Sequence, residues 1–265
     1  MQSKNALLWS MKSEKSDKVI GYVFGTMHLG TPEAYTFARL AEKYISLSDI
    51  FFSETDIDGL NAQDQSVFCL PDGLHLRQLL SQHKYEKYRN IILKFTDFDL
   101  NHTSHFLPFY LQSILSTVLL QAQFSTPLDA WLWQYAKNNG IPCHGIEDIE
   151  EQKVILNNIP LSLQLKSLGN MCDHMSSWRK KLLHMQKIYA RADHIQLYKI
   201  ARGQAGGLRG LLLFKRNGII SQRMDEMLQK EKVIFVSLGA AHLWGNEGIL
   251  AHLKRKGLSV RPVFD

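Results

Sequence analysis

Two stretches of the chain repeat one pattern, an apolar run followed by Gly-x-x-His. The first is Val19-Ile20-Gly21-Tyr22-Val23-Phe24 with Gly25-Thr26-Met27-His28, and the second is Val233-Ile234-Phe235-Val236-Ser237-Leu238 with Gly239-Ala240-Ala241-His242. Two carboxylates close comparable runs, Glu54 after Ile50-Phe51-Phe52-Ser53 and Glu147 after Ile141-Pro142-Cys143-His144-Gly145-Ile146. Two imidazoles and two carboxylates brought to one place suit a divalent metal with nitrogen and oxygen ligands, or a histidine base flanked by electrostatic partners. Glycine ahead of each histidine has a physical use. Without a Cβ the chain can turn sharply, and another backbone or a substrate can come close.

Those four side chains meet only if the elements beneath them share a sheet. Short β-branched and aromatic runs with no polar alternation read as strands buried on both faces. Between the strands ending near His28 and Glu54, Thr31-Pro32-Glu33 carries a hydroxyl N-cap, a proline at the first helical position and an acid in the first turn. Ala34, Phe37, Leu40, Ala41, Tyr44 and Ile45 follow at helical spacing, which predicts a helix ending before Asp49 and a βαβ unit. A second helix is predicted over Leu128 to Asn138, stopped by Asn139-Gly140, and Pro142 moves the strand after it toward a sheet edge or makes it irregular. Asn246 to Lys256 reads as a helix ended by Gly257, and Leu258 to Val263 as a final strand. Right-handed crossovers would make the strands ending at His28, Glu54, Glu147 and His242 parallel, with all four side chains at the carboxyl edge where open α/β sheets place ligands. The expected fold is α/β, a central mainly parallel or mixed sheet with two strand-GxxH-helix units. A mostly helical cap insertion over about residues 155–215 sits over the sheet, within a single domain spanning 1–265.

Composition sets the outer limits. With 265 residues, 45% hydrophobic and 21% charged, the chain fits neither a disordered nor a fibrous class. Lys plus Arg is 31 against 25 for Asp plus Glu, and the excess sits in one segment, where ten basic residues from Arg179 to Arg216 accompany a single acid, Asp193. Those cations lack interleaved aromatics or a recognition-helix motif, so no specific nucleic-acid partner is expected. A solvated face is the plain reading, and an anionic ligand or a membrane surface at this basic cap stays open. Gly203, Gly206, Gly207 and Gly210 beside it read as a flexible loop able to move as a lid. Cys69, Cys143 and Cys172 are widely spaced with no CxxC, which argues against a disulfide framework and a thiolate zinc site. Residues 1–18 show no signal-peptide pattern, so a cytoplasmic protein is expected if the N-terminus is native, and a secreted or periplasmic one if it has been trimmed. The longest apolar stretch, Phe106 to Ala122, is interrupted by Pro108, Gln112, Ser113, Ser116, Thr117 and Gln121, short of the ~18 apolar residues a spanning helix needs, and reads as a buried helix.

Each candidate also has a plainer reading. Glu54 could cap a neighbouring helix, but Asp56 two residues on is read as pointing the same way, and two carboxylates repel unless a cation is near. Glu147 opens an acidic run with Asp148, Glu150 and Glu151 that could be a helix start favoured by the dipole. His144 reads as structural, and His102 and His105 as surface or packing residues. His174, His184 and His194 lie among the basic groups and read as part of a solvated face.

The motifs taken in order resemble the TraB/PrgY/GumN family, whose animal branch is the Tiki proteins. The resemblance rests on Leu7-Leu8-Trp9, Tyr22 to His28, Ser53-Glu54-Thr55-Asp56, Gly145-Ile146-Glu147 with Gln152, Arg216-Asn217, and Val236 to Leu243 with Gly245 and Gly248. It implies an α/β fold in which the paired Gly-x-x-His motifs and acids form one site, and for the Tiki branch metal-dependent proteolysis with manganese or cobalt favoured and zinc as a further option. Carried over on this resemblance, His28, His242 and Glu54 are the metal ligands and Glu147 is a further ligand or a general base. Arg216 and Asn217 are the pair that steadies charge on an attacked carbonyl. Tyr189 and Asp193 match a tyrosine and an aspartate of the family, with Ala192 where glycine is usual and Trp244 where proline is common.

Three functions follow as expectations. The leading one is a metal-dependent hydrolase acting on a peptide or a small amide or ester. The second uses the same pocket without metal, one histidine serving as general base, and the third is a non-catalytic protein that binds peptide, haem or metal.

Overall fold

The computed structural model describes residues 5–13, 18–62, 68–120, 126–230 and 232–264. The chain divides into two compact units, one made of Met1–Asn61, Gln123–Ile149 and Met185–Asp265, the other of Ala62–Ala122 and Glu150–His184.

The first unit is a mixed α/β sheet structure. Its strands are β1 (Leu8–Ser13), β2 (Val19–Thr26), β3 (Ile50–Thr55), β4 (Cys143–Glu147), β5 (Ile234–Gly239) and β6 (Leu258–Val263), in the order β4-β3-β5-β2-β1-β6. β4, β3, β5 and β2 run parallel, whereas β1 is antiparallel to both β2 and β6. β4, which follows Pro142, lies at the edge, where no second ladder needs its donors. β1 was not foreseen beyond its Leu-Leu-Trp opening: Leu8 to Ser13 is short and half polar, and its partner β6 lies far away in sequence.

Burial on both faces explains the unalternating strands. Tyr22, Phe24, Phe51 and Phe235 pack on one side with Leu40 and Ile45 of the helix Ala38–Ile45 and with Leu132, Trp133 and Ala136 of the helix Leu128–Asn138. Val23, Phe52, Val236 and Leu238 pack on the other with Ile220 and Met224 of the helix Lys215–Leu228 and with Ile249 and Leu253 of the helix Ile249–Arg255. Adjacent residues thus face opposite layers, and successive positions of the central strands are apolar on both faces.

Local signals set most boundaries. Thr31 Oγ1 accepts from Ala34 N at 3.4 Å, and the segment begins as a 3-10 turn, Ala34–Phe37, before continuing as the α-helix. Gly140 and Gly257 sit at φ 72° and 80°, the left-handed region that ends a helix at low cost for glycine. The last helix starts at Ile249, not Asn246, because Gly245 at φ 96° and the Gly248 N–H donating to Gly245 O form a turn first. The four glycines after Arg202 are not a loop either. They lie within helical turns, a helix His194–Ala205, a 3-10 turn Gly206–Leu208 and a π turn Gly210–Phe214 that runs into Lys215–Leu228, with Gly206 alone at φ 51°.

The second unit is helical around Tyr85, Tyr88, Ile92, Leu111, Leu115 and Leu168, carried by the helices Gln82–Thr96, Pro108–Leu119 and Leu161–Asp173. Pro108–Leu119 is the buried helix expected in the apolar stretch, whose last residues, 121 and 122, lie outside the described ones. Among the described residues no helix is long and apolar enough to cross a membrane. His105 packs its ring 4.2 Å from that of Phe106.

The two Gly-x-x-His motifs are coupled through β2 and β5, which pair from Gly21 with Ile234 to Thr26 with Gly239. A Cβ on Gly25 would lie 2.7 Å from Leu243 Cδ1 and 3.0 Å from Ala240 Cα, inside the second motif. Gly25→Ala is therefore expected to cost on the order of 1–3 kcal/mol by overpacking, read as a lower urea midpoint at unchanged slope.

Candidate functional site

Parallel strands place their carboxyl ends at one edge, and the strand order lines up Glu147, Glu54, His242 and His28 along it. Glu54 lies within β3 and Glu147 ends β4. His28 follows β2 by two residues, and His242 ends a 3-10 turn, Ala240–His242, that continues from β5. Asn217 and Arg216 reach in from the first turn of Lys215–Leu228. All six residues singled out in the sequence lie in the first unit and converge.

The carboxylates are joined by a cation. Arg216 Nε donates to both Glu147 oxygens at 3.0 and 3.2 Å, and Nη2 donates to Glu54 Oε1 at 2.5 Å and also to Glu147 Oε2. The side chains of Arg216 and Glu147 are 14% and 4% exposed, so the pairing is shielded from water. Burial pushes the Glu54 carboxyl up, but Arg216 foremost, with His28 and His242, outweighs it and holds the group well below the usual range. Asp56, expected beside Glu54, leaves the sheet after Thr55 and accepts from Gly59 N at 2.9 Å, capping the helix Ile57–Ala62. The cation that relieves Glu54 is Arg216.

The histidines are set by different partners. His28 Nδ1 lies 2.8 Å from Asp129 Oδ2, and His28 Nε2 lies 3.7 Å from Glu54 Oε2. Asp129 was missed in the sequence, where an acid in the first turn of a helix is explained by the dipole alone. The Asp129 charge raises the His28 pKa well above that of a free imidazole, although the side chain is 59% exposed and water screens the pair. His242 Nδ1 lies 2.6 Å from Asn217 Oδ1. Asn217 Nδ2 donates to the Glu247 carbonyl at 2.6 Å, which fixes the amide, so its oxygen must accept from His242 Nδ1–H and the His242 Nε2 lone pair is left bare. Burial pushes the His242 pKa down to about 4. Asn217 is buried and meets His242 through Oδ1 and the Glu247 carbonyl through Nδ2.

Gly239 forms the floor. A Cβ there would lie 3.5 Å from His28 Nε2, 3.5 Å from His242 Cδ2 and 3.6 Å from Glu54 Oε2, and the Gly239 N–H donates to Glu54 Oε2 at 3.2 Å. A cradle one methyl group wide thus has an imidazole nitrogen, a second imidazole edge and a carboxylate oxygen on its rim. The chemistry of that rim suits a divalent ion, since each histidine is held through Nδ1 by a side-chain oxygen with its other edge turned inward. As they stand, no three His, Cys, Asp or Glu side chains among the described residues are grouped closely enough to hold one.

The order of motifs, the sheet and the site can now be set beside known proteins. The TraB/PrgY/gumN family profile matches residues 7–262. The chain belongs to that family. It is 22% identical to "Metalloprotease TIKI2" of Danio rerio, over 97% of this chain and 60% of that protein, so it spans about three-fifths of the relative's length. No solved structure matches the chain. The two family positions in the 189–193 stretch act on the frame: Tyr189 donates to Gly25 O at 2.9 Å and Asp193 caps the helix His194–Ala205 by accepting from Gln196 N at 3.0 Å. Ala192, where the family usually has glycine, is at φ 55°.

His194 is a correction. It is not part of a solvated face but is 0% exposed, with its ring edge-on to Trp9 and Trp244 at 5.5 and 5.0 Å. Its long-range apolar contacts are invisible in a run of basic neighbours. His174 and His184 are exposed, as expected. Burial lowers the His194 pKa below that of a free imidazole. The unfolded chain therefore takes up this proton first as pH falls through about 6.5, and the stability tied to a neutral His194 is present above that pH and lost below it. Urea titrations between pH 7.5 and 5 should show the stability of His194→Phe rising relative to wild type as pH falls; a constant offset would contradict the burial argument.

Proposed function

We propose that the protein is a hydrolase of amide or ester bonds, peptidase-like, with its reacting centre in the cradle over Gly239. The observation that carries this reading is that both histidines are held through Nδ1, by Asp129 and Asn217, and turn their other edges toward Glu54 Oε2 across that cradle. His28, His242 and Glu54 are the residues we assign to a divalent ion. Manganese or cobalt is assigned from the family resemblance, and zinc is a further arm of the test. An ion there supplies Lewis acidity to a substrate carbonyl and to water. The chain's own residues do the rest. Asp129 and Asn217 orient the imidazoles, and Glu147 acts through Arg216 and not in the cradle. Gly239 leaves room for the scissile group. The name of the zebrafish relative, a metalloprotease, supports a peptide as substrate. The exposed Arg179, Lys180 and Lys181 of the second unit are the surface we assign to an anionic ligand or membrane.

A second reading, with His242 as a metal-free general base, is favoured by one observation: Arg216 already pairs with both acids, while His242, held through Nδ1 by Asn217, keeps Nε2 as an acceptor. It predicts turnover insensitive to chelator.

Elemental analysis and thermal melting with manganese, cobalt, zinc and chelator decide between them. The expected result is near-stoichiometric ion and a melting temperature raised by it, both lost in His28→Ala/His242→Ala. Absence of ion and of any shift, with turnover kept in chelator, would move the assignment to the histidine base. Gly239→Ala gives an independent check, since its Cβ meets only ordinary contact distances and the backbone at φ −53° accepts alanine. It should fold with a melting temperature close to wild type and lose at least about tenfold in kcat/KM, because a methyl group fills the cradle.

A further inference from the structure

We infer that Arg216 is the site's resident cation, a side chain that competes with a divalent ion for Glu54 and Glu147 and so limits how tightly an ion is held. The inference rests on the metal-dependent reading above and extends it to regulation of the same site.

The count of oxygens carries it. Of the four carboxylate oxygens of Glu54 and Glu147, three are engaged by Arg216: Glu54 Oε1 through Nη2, and both oxygens of Glu147 through Nε and Nη2. Only Glu54 Oε2 faces the cradle, and it already accepts the Gly239 N–H at 3.2 Å. With the guanidinium in place, an ion over Gly239 can draw on one carboxylate oxygen and two imidazoles and no more. As they stand, those three side chains are not grouped closely enough to hold one. Glu147, 4% exposed, would be an unpaired buried carboxylate beside another if Arg216 withdrew. Two such groups repel strongly and attract whatever cation can reach them.

Arg216 also adjoins an irregular turn. It lies on the first turn of Lys215–Leu228, directly after the π turn Gly210–Phe214, and its Nη1 donates to Leu212 O within that turn at 3.5 Å. Such π turns are rare and recur at functional sites.

The test is manganese binding to metal-stripped full-length protein, measured by the electron paramagnetic resonance signal of free ion and by calorimetry. Arg216→Met keeps the length and removes the charge, and should bind manganese at least about tenfold more tightly than wild type. Its ion-free melting temperature should fall and be restored by manganese. Arg216→Lys keeps a charge but loses the bidentate grip on Glu147, and should tighten binding by a smaller factor, about threefold; it decides the matter if the methionine variant does not fold. Wild type that binds manganese, with folded variants that bind no more tightly, would overturn the role of Arg216 and leave the metal-dependent reading standing. Wild type that binds none beside a methionine variant that binds tightly would support Arg216 as the blocking cation and overturn metal dependence of the native protein. Folded proteins that bind none in any form would overturn both.

Discussion

The pairing of β2 with β5 is the constraint on which the site depends. Two parallel strands hydrogen-bonded from Gly21 to Thr26 end side by side, so whatever follows them is delivered to the same few ångströms of sheet edge. Their registers place Gly25 opposite Leu238, and a glycine at 25 is what lets Ala240 and Leu243 settle against β2. Because both strands are buried on both faces, they cannot slip by a residue without turning Phe24 and Phe235 into the wrong layer. The histidines are held in relation to each other by the core, not by any bond between them.

On that frame sits an arrangement that adds little to folding. Removing one member of a buried ion pair typically costs about 3–5 kcal/mol, yet replacing the whole set with apolar groups is often neutral or better. Glu54, Glu147 and Arg216 therefore have to be explained by what they do. Each comes from a different element, β3, β4 and the helix Lys215–Leu228, and the guanidinium spans the gap between two strand ends. It bridges the two acids and keeps Glu54 charged in a place where burial alone would favour protonation.

How far this was legible in the sequence depends on range. Strands buried on both faces announce themselves by composition, and their ends carried His28, Glu54, Glu147 and His242. The edge position of β4 followed from Pro142. The partners that define the chemistry were harder to see. Asp129 sits in the first turn of a helix, where an acid has an ordinary explanation, and it meets His28 across about a hundred residues of chain. Asn217 was singled out, but its contact with His242 was not legible, since which way its amide faces depends on a backbone carbonyl at Glu247. His194 was misjudged for a related reason: its basic neighbours said surface, and contacts from distant residues overrode it.

The two histidines are formally equivalent in sequence and not in structure. Asp129 gives His28 a full negative charge at 2.8 Å, which favours the protonated ring, while Asn217 gives His242 a neutral oxygen at 2.6 Å and burial favours the unprotonated one. Exposure runs the same way, with His28 open to solvent and His242 enclosed. A duplicated motif has thus been split into a half that can exchange protons with water and a half that keeps a fixed tautomer. Glu54 lies between them, drawn toward Arg216 on one oxygen and toward His28 and Gly239 on the other. Whichever electrophile occupies the cradle must reconcile those two histidines through that single carboxylate. The asymmetry of Asp129 and Asn217, more than the repeated Gly-x-x-His itself, sets the two imidazoles apart at the edge of this sheet.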